Sequence, residues 1–148
     1  MNELSDIAHL VELAVAPVFL LAGIGSLLGV VTTRLARVID RARILEERLY
    51  TPRNDEEEAR MRGELSSLDR RMVLAQRAIF LFSTAALMVC LVVAMLFVGE
   101  FIAMSAAPVV AMMFIAAMFA MIGGLTLFLM EISIATGAIR VRAELLSK

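Results

Sequence analysis

Three uncharged apolar runs set the frame of this chain: Leu13 to Val31, Ala78 to Val98, and a third lying within Phe101 to Met130. Each approaches or exceeds the roughly 20 residues that carry a helix across a hydrocarbon core. In lipid only internal pairing satisfies the backbone, so each run is predicted to be helical. Gly99, Glu100 and the stretch Ser105 to Pro108 read as a short turn before the third run, with Pro108 in a first helical turn where proline is tolerated. Pro17 is placed near the start of the first span for the same reason.

Between the first two runs the apolar residues change their period. They recur at Leu35, Val38, Ala42, Leu45 and Leu49, a 3-4-3-4 spacing. After Thr51-Pro52-Arg53-Asn54 they recur at Met61, Leu65, Leu68, Met72 and Ala75, spaced 4-3-4-3. Both are the a/d seam of a coiled coil. Pro52 ends the first helix, because the residue before a proline disfavours the helical region. Asn54 or Asp55 can cap the second, and Asp55 to Glu58 place negative charge at its positive end. Glu56–Arg60 and Glu58–Arg62 are i,i+4 pairs on an exposed face. Residues Arg34 to Tyr50 would extend about 25 Å as helix, so the first two spans are predicted to continue into an antiparallel stalk. Ile134, Ala138, Val141 and Leu145, spaced 4-3-4, predict a third helix lying against it. The predicted fold is an all-α membrane protein, a single membrane domain over 1–148. Its spans are about 13–33, 78–98 and 107–130. A coiled-coil-like helical hairpin occupies 34–77, and a C-terminal helix 132–147.

Charge decides the orientation. Eleven of the fourteen basic residues fall between Arg34 and Arg77, and the other three are Arg140, Arg142 and Lys148. With three spans drawn, all fourteen lie on one side, which the Lys/Arg excess of cytoplasmic loops makes the inside. The N-terminus is then outside, and the hairpin and C-terminal helix are cytoplasmic. The segment before the first span carries Glu3, Asp6 and Glu12 and no Lys or Arg, unlike the basic start of a cleaved signal peptide. The 61% hydrophobic composition exceeds the roughly 45–50% of soluble domains. The net charge of −1 gives no reason to expect nucleic acid as a partner.

Chemistry-bearing groups are sparse. One histidine (His9), one cysteine (Cys90), and the lack of HExxH, CxxC or a phosphate-binding glycine loop leave no catalytic residues, cofactor or metal to expect. His9, Glu12 and Glu100 at the outer end read as solvated groups rather than metal ligands. The eleven methionines read as flexible apolar filler. Two features remain. Gly25 and Gly29 form a GxxxG pattern widened by Ala22, Gly23 and Ser26, and Ala116, Ala120 and Gly124 form a second small-residue stripe. Such stripes let helices approach closely in lipid, within one chain or between copies. Glu131 follows an uncharged run and lies about 35 Å along the helix from Pro108. It is predicted to form an interfacial ion cluster with Arg34 and Arg77, which end the apolar runs of the other two helices; the alternative for such a carboxylate is a proton or cation site.

The runs APVFLLAGIGSLLGVVTTRLARVIDRARILEERL, DRRMVLAQRAIFLFSTAALMVCLVVAMLF and MIGGLTLFLMEISIATGAIRV resemble a bacterial family known as domain of unknown function 2721. The resemblance covers nearly the whole chain, and TTRLARVIDRAR and GGLTLFLMEISIATGAIR are its most specific parts. It implies a small three-helix protein of the bacterial inner membrane and brings no activity with it. Where it leads one to expect a basic residue after Ile132, this chain has Ser133.

Two functions are compatible with these features. The first is a non-enzymatic, self-associating assembly or accessory protein that presents its stalk to a cytoplasmic partner. Its basic residues near Arg34 to Arg43 would meet anionic lipid headgroups. The second is an oligomeric channel for an ion or small solute, lined by Ser26, Thr33, Thr126 or Ser133. No span carries a continuous polar stripe.

Overall fold

A computed structural model describes the backbone of residues 2–50, 54–102 and 107–146, and the side chains of 11–50, 54–99 and 107–137. It consists of three long helices: α1 Asn2–Leu49, α2 Asp55–Ile102 and α3 Ala107–Leu146. Among the described residues there is no strand. Each helix contains a stretch long and apolar enough to cross a membrane, with mean hydropathy of 2.3, 2.7 and 2.2. The chain is an all-α, multi-pass membrane protein.

The helices run past every boundary that hydropathy marks. α1 does not break between 33 and 34, nor α2 between 77 and 78, and the described part of the expected C-terminal helix, 132–146, continues α3. Gly99 and Glu100, expected in a turn, lie inside α2, which continues to Ile102. α1 starts at Asn2, so Pro17 sits about four turns inside it rather than near its start. Glu3 and Asp6 suit the positive end of a helix, which accounts for the early start. Pro17 leaves the carbonyl four residues before it without its usual donor.

The second helix starts where its cap dictates. The Asn54 side-chain oxygen accepts from the Glu57 N–H at 2.9 Å, and its backbone carbonyl accepts from the Glu58 N–H at 3.2 Å. Asp55, Glu56, Glu57 and Glu58 fill the first turn, where the helix dipole favours negative charge.

Each helix buries a line of residues seven apart. These are Pro17, Ile24, Val31, Val38 and Leu45 in α1, Met61, Leu68, Ala75, Phe82 and Val89 in α2, and Ala117, Gly124 and Glu131 in α3. Seven residues are close to two helical turns, so such a line stays on one face.

The chain divides into two compact units. The first comprises Met1–Gly29 and Phe80–Gly123. Its core is Ala14, Ile24, Phe82, Ala85, Val89, Val92 and Ala117, while Phe19, Phe80, Met112 and Phe119 are about two-thirds or more exposed. That inversion suits a lipid surround, in which helices gain from close packing rather than from hiding apolar surface. Close packing is visible at Gly123, where an added Cβ would lie 3.1 Å from Leu81 Cδ1. Glu3, Asp6, Glu12 and Glu100 are this unit's only charged side chains.

The second unit comprises Val30–Ile79 and Gly124–Lys148 and holds all fourteen basic residues against eleven acidic ones. Val38, Ala42 and Leu45 of α1 and Met61 and Leu68 of α2 form one buried cluster, with Leu49, Leu65 and Met72 packed against it. Leu35 is half-buried. α1 and α2 pair here in opposite directions: Arg41 bonds Glu64, and Arg34 and Arg71 share one carboxylate.

Candidate functional site: a buried carboxylate between two arginines

Glu131 is 1% exposed, the one buried charged residue among those described. It stands on the Ala117–Gly124–Glu131 line of α3 and so enters the interior of the second unit. Ser133 and Thr136 donate to the carbonyls of Leu129 and Ile132, so these neighbours satisfy their hydroxyls within α3.

Both carboxylate oxygens are engaged. Oε1 accepts from Arg71 Nε at 2.9 Å and Nη2 at 2.8 Å. Oε2 accepts from Arg34 Nε at 3.2 Å, with Arg34 Nη2 at 3.1 Å. Bonds between ionised partners are roughly twice as strong as neutral ones. Among the described residues no buried side-chain polar atom lacks a partner. Arg34 also lies over the Phe128 ring, 5.7 Å from its centroid, within range of a cation–π attraction. One side chain from each helix thus meets at one point. With both oxygens occupied, Glu131 ties the three helices together.

The structure brings Glu131 and Arg34 together as expected from the ends of the apolar runs, but the second cation is Arg71. Arg77 lies six residues, about 9 Å, further along α2 and is exposed. The reason is register. In two antiparallel helices joined by a short connection, levels are counted from the connection. Leu49 and Asp55 flank it, which puts residue 34 opposite residue 70 or 71. The ends of the apolar runs do not mark equal levels. The base expected at 133 is not needed, since Arg71 supplies it from another helix.

The small-residue stripes separate. Gly25 and Gly29 are exposed, with nothing within 4 Å of an added Cβ at either. In α3 the buried line is Ala117 and Gly124, with Ala116 and Ala120 half-buried at its edge. On the stalk face, Glu58–Arg62 and Arg41–Glu64 are paired, whereas Glu56–Arg60 is not. Glu12 is exposed, and the side chains of His9, Glu100, Ala138, Val141 and Leu145 lie outside the described residues. Among the described residues no group of three His, Cys, Asp or Glu side chains could hold a metal ion.

The family described as Protein of unknown function (DUF2721) matches residues 14–141, a stretch that takes in nearly all of the first span, the whole of the other two, and the Arg34–Glu131–Arg71 cluster. The chain belongs to this family. No curated protein and no solved structure matches it. The family and the three helices establish a membrane protein. Its buried charged centre among the described residues is the Arg34–Glu131–Arg71 cluster.

Proposed function

We propose that this DUF2721 protein is a non-enzymatic assembly protein of the bacterial inner membrane, in which copies of the chain associate through the Gly25–Gly29 face of α1. The observation that carries this is the open space beside both glycines. A glycine within a helix costs about 1 kcal/mol relative to alanine. Two of them one turn apart on an exposed face make sense where a second helix closes to backbone contact. The orientation follows from the positive-inside rule: the second unit, with every Lys and Arg, faces the cytoplasm. There α1 and α2 form a helical hairpin with a coiled-coil-like seam, available to a cytoplasmic partner. The Arg34–Glu131–Arg71 cluster holds α3 to the base of that hairpin. Ser26 and Ser133, two of the four hydroxyls (with Thr33 and Thr126) that could line a pore, spend their O–H on the carbonyls of Ala22 and Leu129 in their own helices. That favours assembly over conduction.

The test is single-molecule subunit counting of the full chain in bilayers, for wild type and for Gly25→Leu/Gly29→Leu. The expected result is a defined oligomer for wild type and a monomer for the double variant. A monomeric wild type, or an oligomer untouched by the substitutions, refutes the reading.

A further inference from the structure

A cavity of about 250 Å³ opens in the second unit, lined by Arg34, Arg37 and Arg41 with Val38 on α1, and by Leu68 and Arg71 on α2. Four guanidinium groups border it. Two carboxylates offset them: Glu131 takes Arg34 and Arg71, and Glu64 takes Arg41 at 2.8 and 2.9 Å. Arg37 is exposed and has no partner among the described residues. Two positive charges are therefore left over around one concave site.

The bonding leaves donors as well as charge. Arg34, Arg41 and Arg71 each reach their carboxylate through Nε and Nη2, and none of these contacts uses Nη1. Glu131 thus orients two guanidinium groups and Glu64 pairs a third on the exposed face, and the Nη1 of each takes no part in these contacts. Planar guanidinium forks match the oxygen geometry of a phosphate. One water needs roughly 10–15 Å³ of such space, so the cavity has room for several. A phosphate group with the first atoms of its ester fits that space.

We propose that this cavity binds the phosphate group of an anionic phospholipid. Its place in the chain favours that source over a soluble anion. Arg34 is the first charge after the uncharged run of α1, and Arg41 lies about 10 Å further along the helix. The polar layer of a bilayer is several ångströms deep on each side of its hydrocarbon core. The site does not require the chain to self-associate, since every lining residue belongs to one copy. It does rest on the basic unit meeting the membrane surface.

The test uses the full chain in a neutral detergent. Native mass spectrometry counts retained phosphatidylglycerol and phosphatidylcholine, and a parallel arm adds inorganic phosphate. Wild type should retain one phosphatidylglycerol per chain, in preference to phosphatidylcholine. Arg37→Gln breaks no ion pair and should weaken retention about five-fold, the loss of one surface cation's attraction. Arg60→Gln, which removes an exposed charge outside the cavity, should leave it unchanged. Phosphate binding that falls with Arg37→Gln, without lipid preference, would keep the phosphate site and overturn its lipid source. Equal retention of both lipids with no phosphate binding overturns the site. So does equal weakening by the two variants, which would mark diffuse surface charge.

Discussion

Glu131→Gln removes the charge at the centre of the cluster while keeping its shape. One of the two acceptor oxygens becomes an amide that donates, so one arginine then faces another donor. Breaking a buried pair by deleting one partner costs about 3–5 kcal/mol when the orphaned charge stays buried. Here the orphans are Arg34 and Arg71, with side chains 34% and 20% exposed. Long arginine stems let their heads turn toward solvent, so the expected cost is lower, about 2–3 kcal/mol. Replacing the cluster as a whole tells a different story. In Arg34→Met/Arg71→Met/Glu131→Leu no charge is left unpaired, and such exchanges are often neutral or stabilising. The triple variant should therefore be more stable than Glu131→Gln alone. With no tryptophan and one tyrosine in the chain, helix loss is best followed by circular dichroism at 222 nm during heating in a neutral detergent. Amide exchange over 34–49 and 55–72 reports the unit directly. A Glu131→Gln variant within about 0.5 kcal/mol of wild type, the level of an unimportant surface change, would refute a structural role for the cluster. So would a triple variant weaker than Glu131→Gln.

Two smaller perturbations test the rest of the framework. Gly123→Ala should be accommodated, because the atom it meets is the far end of the Leu81 side chain; Gly123→Leu should force α2 and α3 apart at about 1–3 kcal/mol, read as faster amide exchange in both helices beside the contact. Asn54→Ala removes the side-chain acceptor of the Glu57 N–H and should cost about 1 kcal/mol, with exchange rising in the first turn of α2 and no effect on the first unit.

Much of this architecture can be read from residue order alone, because the signals are local. A run of twenty uncharged apolar residues has few stable alternatives to a helix in lipid. The stalk residues from Val38 to Leu49 and from Met61 to Met72 were legible because their 3-4 spacing places them on one helical face wherever that face points. All eight of them occupy the buried cluster or pack against it. The cap at Asn54 is equally local. The candidate site was half legible. Glu131 stands out as a carboxylate at the end of an apolar run, and Arg34 as the first charge after another. Arg71 was hidden among eleven basic residues, since its role depends on the register between helices. Counting back from the connection at Pro52 would have found its level.

The small residues mark the same division. The sequence by itself determined that Gly25 and Gly29 share a face, and that Ala116, Ala120 and Gly124 do, because 3.6 residues per turn is a property of one helix. Only the tertiary structure decided which face turns inward. It buried the Ala117–Gly124–Glu131 line and left Gly25 and Gly29 open. The physical reason is that in lipid an apolar face is equally comfortable outside or inside, so hydrophobicity does not choose between them. The choice falls to fit and charge: a carboxylate that must find both its arginines sets the rotation of α3, and that rotation is visible only once all three helices are in place.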